Sequence, residues 1–252
     1  MRFLRSSTTT QRTQRAQRTR RSLGRYDRVV SALAAVVFDF DGVILDSETP
    51  EYESNRLIYE RCGATLTVEE WCSQIGIYTE GEEQRWFLRL CERVSQPPLT
   101  HQEYDAERRG HFVKLLPREP RQGIRELLEA LRDAGVPAAI ATSAPARWVV
   151  PAANRLGLAP LFQTIVSSDD VARGKPAPDV YLEATRRLGA EPAKSVAIED
   201  SGPGLAAARA AGLKTVAIPH WLTERHELTG ADLRVPHAGE LTVARLATLL
   251  EP

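Results

Sequence analysis

From residue 34 to the C-terminus, short apolar runs alternate with stretches of helical period, joined by short connections. This pattern limits the chain to few architectures. Residues 34–40, 137–142, 164–166, 195–198 and 215–218 read as buried strands, apolar along their whole length as strands covered on both faces are. Between them, 121–134, 147–156, 178–188 and 203–211 read as helices, and 240–250 as a last one. The clearest is 121–134, where Ile124, Leu127, Leu128 and Leu131 fall on one face and Gly135 ends the run. Repeated strand–helix–strand units predict an α/β fold: a parallel sheet with helices on both faces and right-handed crossovers.

One segment breaks the alternation. Residues 47–118 carry amphipathic helical patterns at 52–59, 68–75, 82–94 and 101–116, with Pro97-Pro98 at the middle and Pro117 to Pro120 at the return. A stretch of about 70 residues is too long for a plain loop in a compact domain. The expected organisation is therefore a core made of 34–46 and 119–252, with a helical domain of four-helix type inserted at 47–118.

The formal charge is zero, but its distribution is uneven. Residues 1–28 hold nine arginines and one acid, Asp27, a net +8 that the rest of the chain balances. An acidic body cannot replace the counterions around nucleic-acid phosphates, so no nucleic-acid partner is expected. The tail is rich in Arg, Ser, Thr and Gln and has no apolar periodicity, which predicts disorder. Targeting or electrostatic tethering is the alternative. The longest apolar run, 32–38, is far too short to span a membrane. Cys62, Cys72 and Cys91 stand at no metal-ligand or redox spacing, and their odd number argues against a disulfide scaffold. A reducing cytoplasm is the expected compartment.

Four segments fall after the predicted strands, where parallel sheets bind ligands. The first is Phe38-Asp39-Phe40-Asp41-Gly42, with two acids two residues apart that can serve one site, or that belong to a surface turn. The second ends in Thr142 and Ser143, hydroxyls that bind a ligand or cap the next helix. The third holds Lys175 between Gly174 and Pro176, a fixed cation for an anion unless it is simply solvated. In the fourth, Glu199 and Asp200 precede Ser201-Gly202-Pro203-Gly204. Adjacent acids repel unless a cation neutralises them, which points to a hard metal such as Mg²⁺; an N-cap role for Asp200 or Ser201 is the rival.

Taken together, the four segments resemble the motifs of the haloacid dehalogenase superfamily of phosphotransferases, specifically its β-phosphoglucomutase-like branch with a helical cap. Asp39-Phe40-Asp41-Gly42-Val43-Ile44-Leu45-Asp46-Ser47-Glu48 is similar to that family's first motif, Thr142 to its second, Lys175 to its third and Glu199-Asp200 to its fourth. The resemblance covers residues 34 to about 220, insert included. It implies a Rossmann-like core with the fourth strand beside the first, and a Mg²⁺-dependent phosphatase acting on a small phosphorylated metabolite, such as a sugar phosphate. Asp39 is then the nucleophile that forms an aspartyl-phosphate, and Asp41 the general acid and base. The metal falls to the Asp39 carboxylate, the Asp41 backbone carbonyl and Asp200, with Glu199 near it or acting through water. Thr142 and Lys175 hold the phosphoryl oxygens, and Lys175 also pairs with Asp39. Dehalogenases of the superfamily lack the second aspartate, so Asp41 favours phosphoryl chemistry. The protein is expected to act as a monomer, with no membrane partner and a cap that opens and closes over the substrate.

Two departures favour hydrolysis over the mutase reaction of that branch. Many relatives carry a histidine five residues after the position of Asp46, where this chain has Glu51. The cap turn Gly76-Ile77-Tyr78-Thr79-Glu80-Gly81 has no cation to hold a second phosphate. Arg56, Arg61, Arg85 and Arg89 are possible substitutes, although helix-surface arginines are usually solvated. Trp71, Tyr78, Trp86 and Phe87 stand at helical spacing, which favours a cap core over a substrate wall. A sugar-phosphate mutase and a catalytically silent ligand-binding relative remain the alternatives.

Overall fold

A computed structural model describes residues 32–73, 84–94, 98–224 and 228–251. The basic tail at 1–28 and the turn at 76–81 lie outside the described residues. Six parallel strands form one sheet: β1 (Ala35–Phe38), β2 (Ala138–Ala141), β3 (Thr164–Val166), β4 (Ser195–Glu199), β5 (Lys214–Ala217) and β6 (Leu233–Arg234). Their order is β3-β2-β1-β4-β5-β6. Every neighbouring pair is parallel. The chain moves outward in one direction from β1 to β3 and in the other from β4 to β6. A crevice therefore opens beyond the carboxyl ends of β1 and β4, where connections leave to opposite sides.

Alternation along β1 sorts the core into two layers. Val36 and Phe38 join a cluster on one face of the sheet, and Val37 joins a second on the other. Between β1 and the next core helix lie α1 (Glu48–Arg61), α2 (Val68–Cys72), α3 (Arg85–Arg93) and α4 (His101–Leu115). The core helices are α5 (Ile124–Asp133), α6 (Ala146–Arg155), α7 (Asp179–Leu188), α8 (Gly202–Ala210) and α9 (Val243–Thr248). Leu127, Leu128 and Leu131 of α5, Val149 of α6 and Leu246 of α9 fill the first layer. Val180 and Tyr181 of α7 and Ala207 and Ala208 of α8 fill the second. Helices α1 to α4 surround their own apolar cluster of Ile58, Tyr59, Leu66, Trp71, Leu90 and Tyr104. Leu222, from the loop after β5, is part of it.

Differences from the sequence reading are local. The first strand ends at Phe38 rather than at residue 40, so Asp39 and Asp41 sit on the turn beyond it. The sixth strand is only two residues long, too short for an alternating pattern to be read. The last helix covers Val243–Thr248, because a 3₁₀ turn occupies Ala238–Glu240 where the helical pattern begins.

Arg121 stitches the returning chain to both active-end loops. Its backbone N–H donates to the Ile44 carbonyl at 2.8 Å. Its guanidinium donates to the carbonyl of Gly42, and to those of Pro219 at 2.9 Å and Ile218 at 3.5 Å. Replacing it removes a charged donor from three half-enclosed carbonyls at once. We expect Arg121→Ala to lower unfolding free energy by about 2–4 kcal/mol in urea titrations, with the transition still cooperative.

Candidate active site

At the head of the crevice a buried lysine bridges two acids. Parallel pairing aligns Phe38 of β1 with Ile198 of β4, so Asp39 and Glu199 leave neighbouring strands side by side. Lys175 Nζ donates to Asp39 Oδ1 at 2.6 Å and to Glu199 Oε1 at 2.6 Å, and also to the Ala141 carbonyl at the end of β2 at 3.0 Å. The ammonium lies 5.0 Å from the centre of the Tyr181 ring. Burial alone would depress the lysine pKa, but Asp39 and Glu199 more than reverse this and raise it. The charged lysine is thus fixed in place. Asp39 is pushed up to about 7, chiefly by burial, with Glu199 and Asp41 adding to the rise and Lys175 opposing it.

Glu199 is fully buried and both its oxygens are occupied. Oε1 accepts from Lys175 and from the Tyr181 hydroxyl at 2.6 Å. Oε2 accepts from the Asp200 N–H at 3.1 Å and the Ser201 hydroxyl at 3.1 Å. A Cβ on Gly204 would lie 1.9 Å from Glu199, so only glycine lets the start of α8 approach this carboxylate. The helix cap is Ser201, whose hydroxyl accepts from the Gly204 N–H at 3.1 Å, which leaves Asp200 facing the cleft acids. Burial raises Asp200 well above its ordinary value, and Glu199, Asp39 and Glu48 add to the rise. The carboxylates of Asp39, Glu199 and Asp200 lie within 4.8 Å of one another, a donor set of hard oxygens suited to a divalent cation. Gly42, at φ +78°, leaves room for them: a Cβ there would lie 2.2 Å from Asp200 Oδ2.

Asp41 is held by two donors on one oxygen. The Ser47 hydroxyl reaches Oδ1 at 2.6 Å, and Trp148 Nε1 at 3.0 Å. Burial raises its pKa despite both hydrogen bonds. Thr142 is buried directly after Ala141, and its hydroxyl accepts from the Ala144 N–H at 3.0 Å within the turn before α6. All six residues singled out from the sequence thus gather at the carboxyl ends of β1, β2 and β4. Reading the sequence did not find Trp148 or Tyr181 as site residues. Each is an aromatic on a core helix, and nothing in its spacing distinguishes it from core filling.

The rim carries more acid. Glu48 is half-buried, and burial together with Asp41 and Glu51 pushes it up to about 8. Glu51 accepts from Arg108 at 2.6 Å. Asp46 receives His220 Nε2 at 3.0 Å and the Thr49 N–H at 2.9 Å. Of the cap arginines weighed as phosphate ligands, Arg56 pairs with Glu53 and Glu60, Arg61 with Glu107, and Arg89 with Glu70. Trp71 stacks on Trp86 at 4.5 Å, and Phe87 meets Tyr104 at 5.5 Å, which places these rings in the helical cluster; Tyr78 lies outside the described residues.

A doubly wound parallel sheet that gathers a lysine and four acids at its switch point defines a class of α/β enzymes built for anionic substrates. The family model for haloacid dehalogenase-like hydrolases matches residues 33–212, and the chain belongs to that family. It is 41% identical over 221 residues to the protein CbbY of Rhodobacter capsulatus, covering 81% of this chain and 93% of that one. It is 32% identical over 200 residues to the phosphorylated carbohydrates phosphatase of Thermotoga maritima, covering 79% and 91%. Among solved structures, a HAD family hydrolase of Deinococcus radiodurans R1 with bound phosphate and sodium superposes with a TM-score of 0.69 at 30% identity, covering 87% of this chain and 98% of that one.

The raised Glu48 carboxyl links stability to pH. In the unfolded chain it loses its proton near the ordinary 4.5, and in the folded protein near 8, so stability falls as pH rises through that window. Glu48→Gln, which mimics the protonated form, should flatten the fall. In metal-free denaturation curves it should match the wild type at pH 4 and exceed it by at least about 1 kcal/mol at pH 9.

Proposed function

We propose that the protein is a Mg²⁺-dependent phosphatase that hydrolyses a small phosphorylated metabolite of the sugar-phosphate class through an aspartyl-phosphate. The observation that carries this reading is the buried Lys175 shared between Asp39 and Glu199 at the mouth of β1 and β4. It opposes the effect of burial on the nucleophilic carboxylate and orients it at a place where phosphoryl oxygens meet a fixed cation. The similarity to a phosphorylated carbohydrates phosphatase supports the substrate class.

Asp39 attacks phosphorus in line as the ester oxygen departs, and Asp41 gives that oxygen its proton. The products of this half-reaction are the free alcohol, the phosphorylated Asp39 and an ionised Asp41. Water then attacks the phosphorus and surrenders a proton to Asp41, which releases inorganic phosphate and restores both carboxyls. Lys175 stays charged throughout and, with the Thr142 hydroxyl, holds phosphoryl oxygens. Asp39, Asp200 and the Asp41 backbone carbonyl would hold the metal, with Glu199 beside it or acting through water while it also keeps Lys175 in place. Bound there, a divalent cation screens the repulsion between the attacking carboxylate and the phosphoryl dianion.

Hydrolysis is favoured over phosphoryl transfer between two sites of a sugar. Arg56, Arg61 and Arg89 are already paired with acids of the helical insert, and the position of the usual cap histidine is an acid tied to Arg108. The insert serves as a lid that excludes water and selects the substrate. One chain supplies every group named, so a monomer suffices. Among the described residues no helix is long and apolar enough to cross a membrane. Cys62, Cys72 and Cys91 as thiols fit a reducing cytoplasm.

Asp39→Asn should abolish turnover of an aryl phosphate, by at least about 10³-fold, while circular dichroism stays native. Chelation should silence the wild type and added Mg²⁺ restore it. Aryl phosphatase activity that survives in Asp39→Asn would overturn the assignment.

A further inference from the structure

Trp148 is the third residue of α6, and its indole points back over the cleft. Its N–H and the Ser47 hydroxyl both end on Asp41 Oδ1, at 3.0 Å and 2.6 Å. Among the described residues no hydrogen bond reaches Oδ2. The two donors are not equivalent. A hydroxyl can turn round and accept, whereas an indole N–H only donates. A proton on Oδ1 would therefore have to displace one of these two donors, with the Trp148 N–H unable to reverse, while a proton on Oδ2 breaks nothing. The indole is braced from the far side by Phe112 of α4, with ring centres 5.4 Å apart. The brace comes from the helical insert and the anchor from the core.

We propose that Trp148 is a positioning residue that locks Asp41 Oδ1 as an acceptor and so assigns the travelling proton to Oδ2, the oxygen that no hydrogen bond reaches among the described residues. The inference rests on the reading of Asp41 as acid and base given above, and adds to it which oxygen acts and what orients it. A carboxyl freed from this donor can rotate, and the acid then spends part of its time aimed away from the ester oxygen. The loss falls on esters that need a proton to leave and spares those that do not.

Leaving-group dependence separates this role from mere packing. With Mg²⁺ present, kcat/KM is measured for phenyl phosphate, whose alcohol leaves poorly, and for p-nitrophenyl phosphate, whose alcohol leaves well. Trp148→Phe keeps a ring against Phe112 and removes the N–H. It should lower kcat/KM for phenyl phosphate about tenfold and for p-nitrophenyl phosphate less than about twofold. Site-specific replacement of the indole by its benzothiophene isostere deletes the N–H alone, and should give the same bias even where the phenylalanine variant folds poorly. Equal losses on both esters, or none on either, would overturn the proposal. Asp41→Asn is the reference: selective loss there with no selectivity at Trp148 rejects the positioning role alone. If Asp41→Asn shows no selectivity, the acid role itself fails and the assignment of Trp148 falls with it.

Discussion

The ion pairs of Lys175 with Asp39 and Glu199 hold the rest of the site in order. A lysine removed from water is costly on its own, and so is a buried carboxylate. Here one ammonium serves two carboxylates and a strand-end carbonyl, so each group's cost is offset by the others. The arrangement exists because parallel registry sets β1, β2 and β4 side by side with their carboxyl ends level. A sheet of another order would separate these groups, and each would then favour its neutral form.

Charge remains out of balance after this pairing. Asp39, Asp41, Asp200 and Glu48 crowd one cleft, and all four are driven toward their protonated forms. Such crowding is destabilising in the free protein and useful in a catalyst. It biases carboxyls toward their protonated forms and gathers hard oxygens that a divalent cation would neutralise. Stability given up here is recovered in the two apolar layers that sandwich the sheet, where nearly every inward side chain is fully buried.

Most of the core was legible in the sequence because buried parallel strands leave unbroken apolar runs, and Ile140 and Ile198 sit in such runs. The chemical residues were legible because acids, hydroxyl and lysine interrupt those runs at their ends. What could not be read were partners fixed by three-dimensional packing. Tyr181 donates to Glu199 across 18 positions, and Trp148 to Asp41 across 107. Both aromatics follow helical periodicity and so look like filler, since a pattern in one dimension shows which face a ring occupies and not where its polar edge ends. Glu199 is a related case. Its pairing with Asp200 in sequence suggests a metal site but does not show that its oxygens also accept five hydrogen bonds, from Lys175, Tyr181, Asp200 and Ser201.

The loop after β5 joins the two halves of the molecule more closely than their separation in sequence suggests. Leu222 is embedded among side chains of the insert, and its carbonyl accepts from Cys72 Sγ at 3.0 Å; one residue on, the Thr223 hydroxyl lies 3.5 Å from Asp200. Swinging the insert outward must either drag this short tether along or pull its leucine out of a greasy socket into water. The helical insert and an acid of the cleft are thereby yoked through two consecutive residues of one loop.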